Sequence, residues 1–147
     1  MLEITLRYIH FICVFSIVAC VATEFFLLKK TLTRTEISRI AAIDAVYGIA
    51  AMILIIAGLT LALGNIGKPS IFYKNNPVFY TKLGLFLIVG LISIRPTIFF
   101  IKQKKGEPNE TITIPNHISK ALLIELIILA IIPLFAGLMA HGIGLKI

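Results

Sequence analysis

Residues 6–28 read LRYIHFICVFSIVACVATEFFLL. About 20 predominantly apolar residues suffice for an α-helix to cross the hydrocarbon core of a bilayer, and this run is long enough. His10 interrupts it near the start and Glu24 near the end. A helix turns about 100° per residue, so His10, Cys13, Ile17, Cys20 and Glu24 fall on one stripe. Ionisable groups are costly against lipid, so the stripe is expected to face protein, water or a cofactor.

Three further apolar runs follow, at about 40–63, 78–101 and 118–143, joined by short polar connectors. With the first helix at about 6–28, they predict an all-α fold: an integral membrane four-helix bundle forming a single transmembrane domain over residues 1–147. The composition agrees, at 59% hydrophobic with a mean hydropathy of +1.00, well above a soluble domain of ordinary make-up. The first run is too long for a cleaved signal and has no A-x-A site after it. Residues 17–20, IVAC, resemble a lipoprotein cleavage box, but apolar sequence continues through Leu28, so the run is expected to stay in the chain.

The net charge is +7 and the pI about 9.7. The basic residues sit beside the apolar runs and no base-reading module is present, which argues for lipid headgroups as partners and against nucleic acid. Lys29, Lys30, Arg34 and Arg39 lie in the first linker; Lys102, Lys104, Lys105 and Lys120 lie in or near the third. The other side carries Arg7, Lys68, Lys74, Lys82 and Lys146. The positive-inside rule then puts both termini on the extracytoplasmic side of a bacterial inner membrane. In that topology Asn109-Glu110-Thr111 lies in the cytoplasm and is not a glycosylation acceptor.

Local signals set the helix ends. Thr35 is a candidate N-cap for the second helix; alternatively Thr33 and Glu36 form a capping box. Gly64 offers its stop. Ala51, Gly58 and Ala62 continue the face of Asp44 and Tyr47 and allow close helix approach. Phe72, Tyr73, Phe79 and Tyr80 cluster around the middle connector, either as an interfacial belt or as a lid over a site. Pro96 and Pro133 fall inside the third and fourth runs, where proline removes a backbone donor. Cys13 and Cys20 are about 10 Å apart along the helix, too far for a disulfide.

The topology sorts the intramembrane polar groups into two layers. The inner layer holds Glu24, Asp44, Arg95 and Glu125, with Tyr47 one turn from Asp44. These form either a structural cluster, paired or snorkelling to water, or a proton-handling one. The outer layer holds His10, Lys82 and His141. An imidazole inside a helical bundle is a frequent axial ligand for haem iron. Lys82 would be a second ligand or pair with a propionate. His141 is about 160° around its helix from Glu125, which ranks it below His10. Met139 and His141 make copper a weaker alternative. His117 sits in a polar loop and is expected to be solvated.

The runs AAIDAVYGIAAMILIIAGL and GKPSIFYKNNPVFYTKLGLFLIVGLISIRPT resemble a bacterial family of predicted four-helix membrane proteins of unknown function. The likeness includes His10, Glu24, Asp44, Tyr47, Gly48 and the block from Gly67-Lys68 to Lys82-Leu83. Residues 139–142 read MAHG where that family tends to MARG, which further weakens His141. His10 and Lys82 also match in kind a haem-linked histidine and a lysine of the HemJ-type protoporphyrinogen oxidases, which share a small helical layout with CopD-like membrane proteins. That resemblance implies haem b with His10 as metal ligand, and a redox role: electron transfer, cytochrome b-like, or porphyrinogen oxidation, with a redox partner or porphyrin substrate. The alternatives are a small proton-linked transporter, working as a homodimer, and a structural subunit without cofactor.

Overall fold

The computed structural model describes residues 1–144, so Lys146, counted in the charge comparison, lies outside the described residues. Four long helices dominate: α1 (Leu2–Leu27), α2 (Arg34–Leu63), α4 (Pro77–Gln103) and α5 (Asn116–Ala140). Between them lie β1 (Thr31–Thr33), the short helix α3 (Ser70–Lys74) and β2 (Thr111–Thr113). Each long helix is apolar and long enough to cross a membrane. With 25 to 30 residues each, they run about 37–45 Å, more than the ~30 Å hydrocarbon thickness. The protein is an integral membrane four-helix bundle.

The helices pack as a closed ring: α1 against α2 and α5, and α4 against α5 and α2. An even number of antiparallel spans brings both termini to one end, the terminal end. The opposite end carries β1 and β2. The ring's outer surface is apolar, with Phe15, Phe26, Ile56 and Leu91 all well exposed, as lipid contact requires. Its interior holds the α1 stripe, where Cys13, Ile17, Cys20, Val21 and Glu24 are buried. Both cysteines are free.

The boundaries follow capping chemistry more closely than hydropathy. Of the two caps open in the sequence, the structure has the Thr33–Glu36 capping box. Thr33 Oγ1 accepts from the Glu36 N–H at 3.2 Å, and the Glu36 carboxylate accepts from the Thr33 N–H at 2.8 Å. The second helix therefore starts six residues before its apolar run does. Asn76 caps α4, accepting from the Val78 N–H at 2.9 Å with Pro77 in the first turn, where a missing N–H costs nothing. Gly64 does cap α2, but with φ of −79°; the left-handed residue is Asn65, at φ 53°. The last helix ends at Ala140 rather than at residue 143, because Gly142 turns left-handed at φ 79°. Both α4 and α5 continue through their prolines.

The β1–β2 ladder is antiparallel and pairs Leu32 with Ile112. It joins the two loops at that end, and Ile114 extends it by donating to the Lys30 carbonyl at 2.9 Å. Arg34 locks the join. Its Nε donates to Glu110 Oε2 and its guanidinium to the Gln103 carbonyl, both at 2.6 Å. Gly106, at φ +126°, leaves room for that guanidinium: a Cβ there would lie 2.6 Å from Arg34 Nε. Beneath the ladder, Leu32, Ile37, Phe100, Ile114 and Ile118 are buried and belong to the continuous core.

The hydrogen bond from Arg34 holds the Glu110 carboxyl below the usual glutamate range. A lowered carboxyl keeps the pair formed above the unfolded value, and the pair is lost as pH falls through the folded one. The Arg34 Nε–H resonance is thus expected to follow Glu110 protonation, with a midpoint below about 4.3. In Glu110→Gln the resonance should not titrate in that range.

Candidate functional site

At the terminal end the ring encloses a cavity of about 370 Å³, within the range of small-molecule sites. Its walls are mostly apolar, from Phe11, Leu54, Phe72, Phe79, Phe86 and Ile132 among others. Its charged lining is cationic, from Arg7, Lys68 and Lys82, and His10 adds an imidazole. Arg7 is paired with Glu3 at 2.8 Å, whereas among the described residues Lys68 and Lys82 have no carboxylate partner. Lys68 Nζ instead lies 4.0 Å from the Phe72 ring centroid, within cation–π reach.

His10 comes from α1 and packs on Gly58 of α2. A Cβ at Gly58 would stand 3.2 Å from His10 Cε1 and 3.4 Å from Nδ1, so the glycine is what lets the ring lie against the helix. His10 Nδ1 is enclosed and has no hydrogen-bond partner. Nε2 is not among the enclosed orphan atoms.

The middle connector closes this end. Phe72, Tyr73, Phe79 and Tyr80 stack edge to face in series, with centroids 5.3, 5.7 and 5.5 Å apart. Phe72, Tyr73 and Phe79 line the cavity and Tyr73 is buried, while Tyr80 is exposed. Three of the four aromatics are therefore a wall of the cavity, and one has the exposure of a belt residue.

Toward the ladder end, three carboxyls converge from three helices: Glu24, Asp44 and Glu125, at 1%, 5% and 1% exposure. Asp44 Oδ1 accepts from Thr97 Oγ1 of α4 at 2.9 Å. Glu24 Oε1 and Glu125 Oε1 are enclosed without partners. Tyr47 is buried near Ser93 and within electrostatic range of all three acids.

A family model described as "Predicted membrane protein (DUF2214)" matches residues 2–144. The chain belongs to that family. No curated protein and no solved structure matches this DUF2214 chain, so the likenesses to HemJ and CopD have no counterpart among those matches. The family description carries no activity, and function has to be argued from the two polar layers.

The structure brings His10 and Lys82 to one cavity, and Glu24, Asp44, Tyr47 and Glu125 to one cluster. Two expected members stand apart. Arg95 is exposed and, among the described residues, pairs with none of the acids; on α4 the buried stripe runs Val89, Ser93, Pro96, Phe100, and residue 95 falls off it. His141 caps the C-terminus of α5 and is exposed, while Met139 and Ala140 line the cavity in its place. The left-handed turn at Gly142 ends the helix before His141 can join the wall. Lys68, Met139 and Gly58 are cavity residues that the reading of the polar layers passed over. Gly58 was already visible as a small residue on the Asp44 face, Met139 as a possible copper ligand beside His141, and Lys68 in the block shared with the family, but none was assigned to the outer polar layer.

Proposed function

We propose that the cavity binds an amphipathic anion and that haem b is the ligand whose chemistry its residues match best. The supporting observation is the pairing of one imidazole, with its Nδ1 sealed against Gly58, with two carboxylate-free lysines in an otherwise apolar enclosure. His10 Nε2 would hold the haem iron. Lys82 and Lys68 would neutralise propionates, and Met139 adds a thioether to the cavity lining. Bound haem would supply one-electron redox chemistry, tuned by ligation and burial. The chain's own residues orient the ligand, exclude water and hold its charge. The excess of lysines and arginines at the ladder end supports a reading in which that end is cytoplasmic and the cavity lies toward the outer face of a bacterial inner membrane.

The test is a reduced-minus-oxidised absorption spectrum of protein purified with haem supplied. A haem b spectrum at stoichiometric occupancy supports the reading; protein that stays colourless after haem reconstitution overturns it. Gly58→Val puts a branched side chain where the ring now lies. It is expected to weaken haem binding about tenfold, corresponding to about 1.4 kcal/mol of overpacking, measured by haem titration. Lys82→Leu separates the two roles of the lysine. A propionate partner changes affinity and leaves the spectrum alone, whereas an axial ligand changes the spectrum.

A further inference from the structure

We infer that Glu24, Asp44 and Glu125 form one intramembrane proton-binding site, loaded from a crevice at the ladder end. This is independent of what the cavity at the terminal end binds.

The first observation is an imbalance of charge. The groups facing the cluster are Cys20 and Glu24 from α1, Asp44 and Tyr47 from α2, Ser93 and Thr97 from α4, and Glu125 from α5. Among these described residues there is no lysine, arginine or histidine. A buried carboxylate without a cation is strongly disfavoured, and three within range of each other cannot all be ionised. Protons are the simplest neutraliser. A protonated carboxyl gains an O–H donor that a carboxylate lacks. The enclosed, unpartnered Oε1 atoms of Glu24 and Glu125 provide acceptors for such donors on their neighbours.

The second observation is a crevice at the same end of the bundle. A separate crevice of about 160 Å³ opens between Leu28, Lys29 and Lys30 on one side and Ile114, Asn116 and Ser119 on the other. Leu28 is one helical turn beyond Glu24, and its N–H donates to the Glu24 carbonyl at 3.0 Å. Ser119 lies six residues before Glu125, about 9 Å along α5. Along the helix axes the crevice lining therefore lies within about two turns of Glu24 and Glu125, which do not themselves line it. Two lysines at its mouth repel metal cations, whereas a proton arrives by exchange with water. Loading moves H⁺ from water onto a carboxylate to give a carboxylic acid; release returns it to water. No electron is transferred.

The test is infrared spectroscopy of the full chain in lipid nanodiscs, without haem, in H₂O and D₂O. Wild type should show the C=O stretch of a buried protonated carboxyl at neutral pH. The band should shift in D₂O, disappear reversibly at alkaline pH, and lose intensity in Glu24→Gln or Glu125→Gln. The two variants probe one site from different helices, so failure of either to fold leaves the other as readout. Absence of the band in wild type would overturn the proposal, as would a band unchanged in both variants. Removal of the band by sodium at constant pH would also overturn it, by revealing a cation site.

Discussion

Replacing His10 by alanine is expected to remove the haem b spectrum and to weaken haem binding by more than about a hundredfold. Loss of a partner that merely supports a metal ligand typically costs ten- to hundredfold, and His10 is proposed as the ligand itself. The substitution also empties the space against Gly58 and leaves Lys68 and Lys82 facing an apolar enclosure. To separate ligation from packing, His10→Gly should regain the spectrum when free imidazole is added, because the small residue leaves room for the replacement ring. Retention of a wild-type spectrum in His10→Ala would move the ligand elsewhere, with Met139 the next group on that wall.

Phe100→Ala should produce the largest loss of stability of any single truncation at the ladder end, about 3–5 kcal/mol. Phe100 is 0% exposed and belongs to the core with Leu32, Ile37, Ile114 and Ile118. The ladder and the Arg34 clamp hold this region in place, so it has little freedom to collapse into the vacated volume. Phe26→Ala is the matched control. At 78% exposure its ring faces the surrounding solvent or lipid, and its removal should change stability by less than about 0.5 kcal/mol. Reversible unfolding in mixed micelles compares the two; equal effects would mean that the interior is not packed as described.

Much of the architecture was legible because a membrane span is a blunt signal. Four runs of sufficient length sufficed for the bundle, and the spacing of His10, Cys13, Ile17, Cys20 and Glu24 located the inward stripe of α1. Boundaries were less legible. Hydropathy finds where lipid begins, whereas the helix begins at its cap, and Thr33 stands well before the apolar run of α2. The ladder left no usable trace: TLT and TIT each carry one apolar residue between threonines, too short for an alternation to register. For the site, depth could be read from chain position and topology, which grouped Lys82 with His10. Azimuth could not be read without weighing the whole face. Arg95 has the right depth and the wrong direction, as the spacing of Ser93, Pro96 and Phe100 makes plain in retrospect.

The ladder also bears on how the chain is assembled. Thr31 and Thr113 are partners, yet 113 − 31 leaves them 82 positions apart, with two spans lying between. The most extensive helix packing, by contrast, is between neighbours in the chain, α1 with α2 and α4 with α5. The fold is therefore two hairpins of chain neighbours, α1–α2 and α4–α5. The strand pairing is the seam between them, and it can be sewn only once residues 111–113 exist.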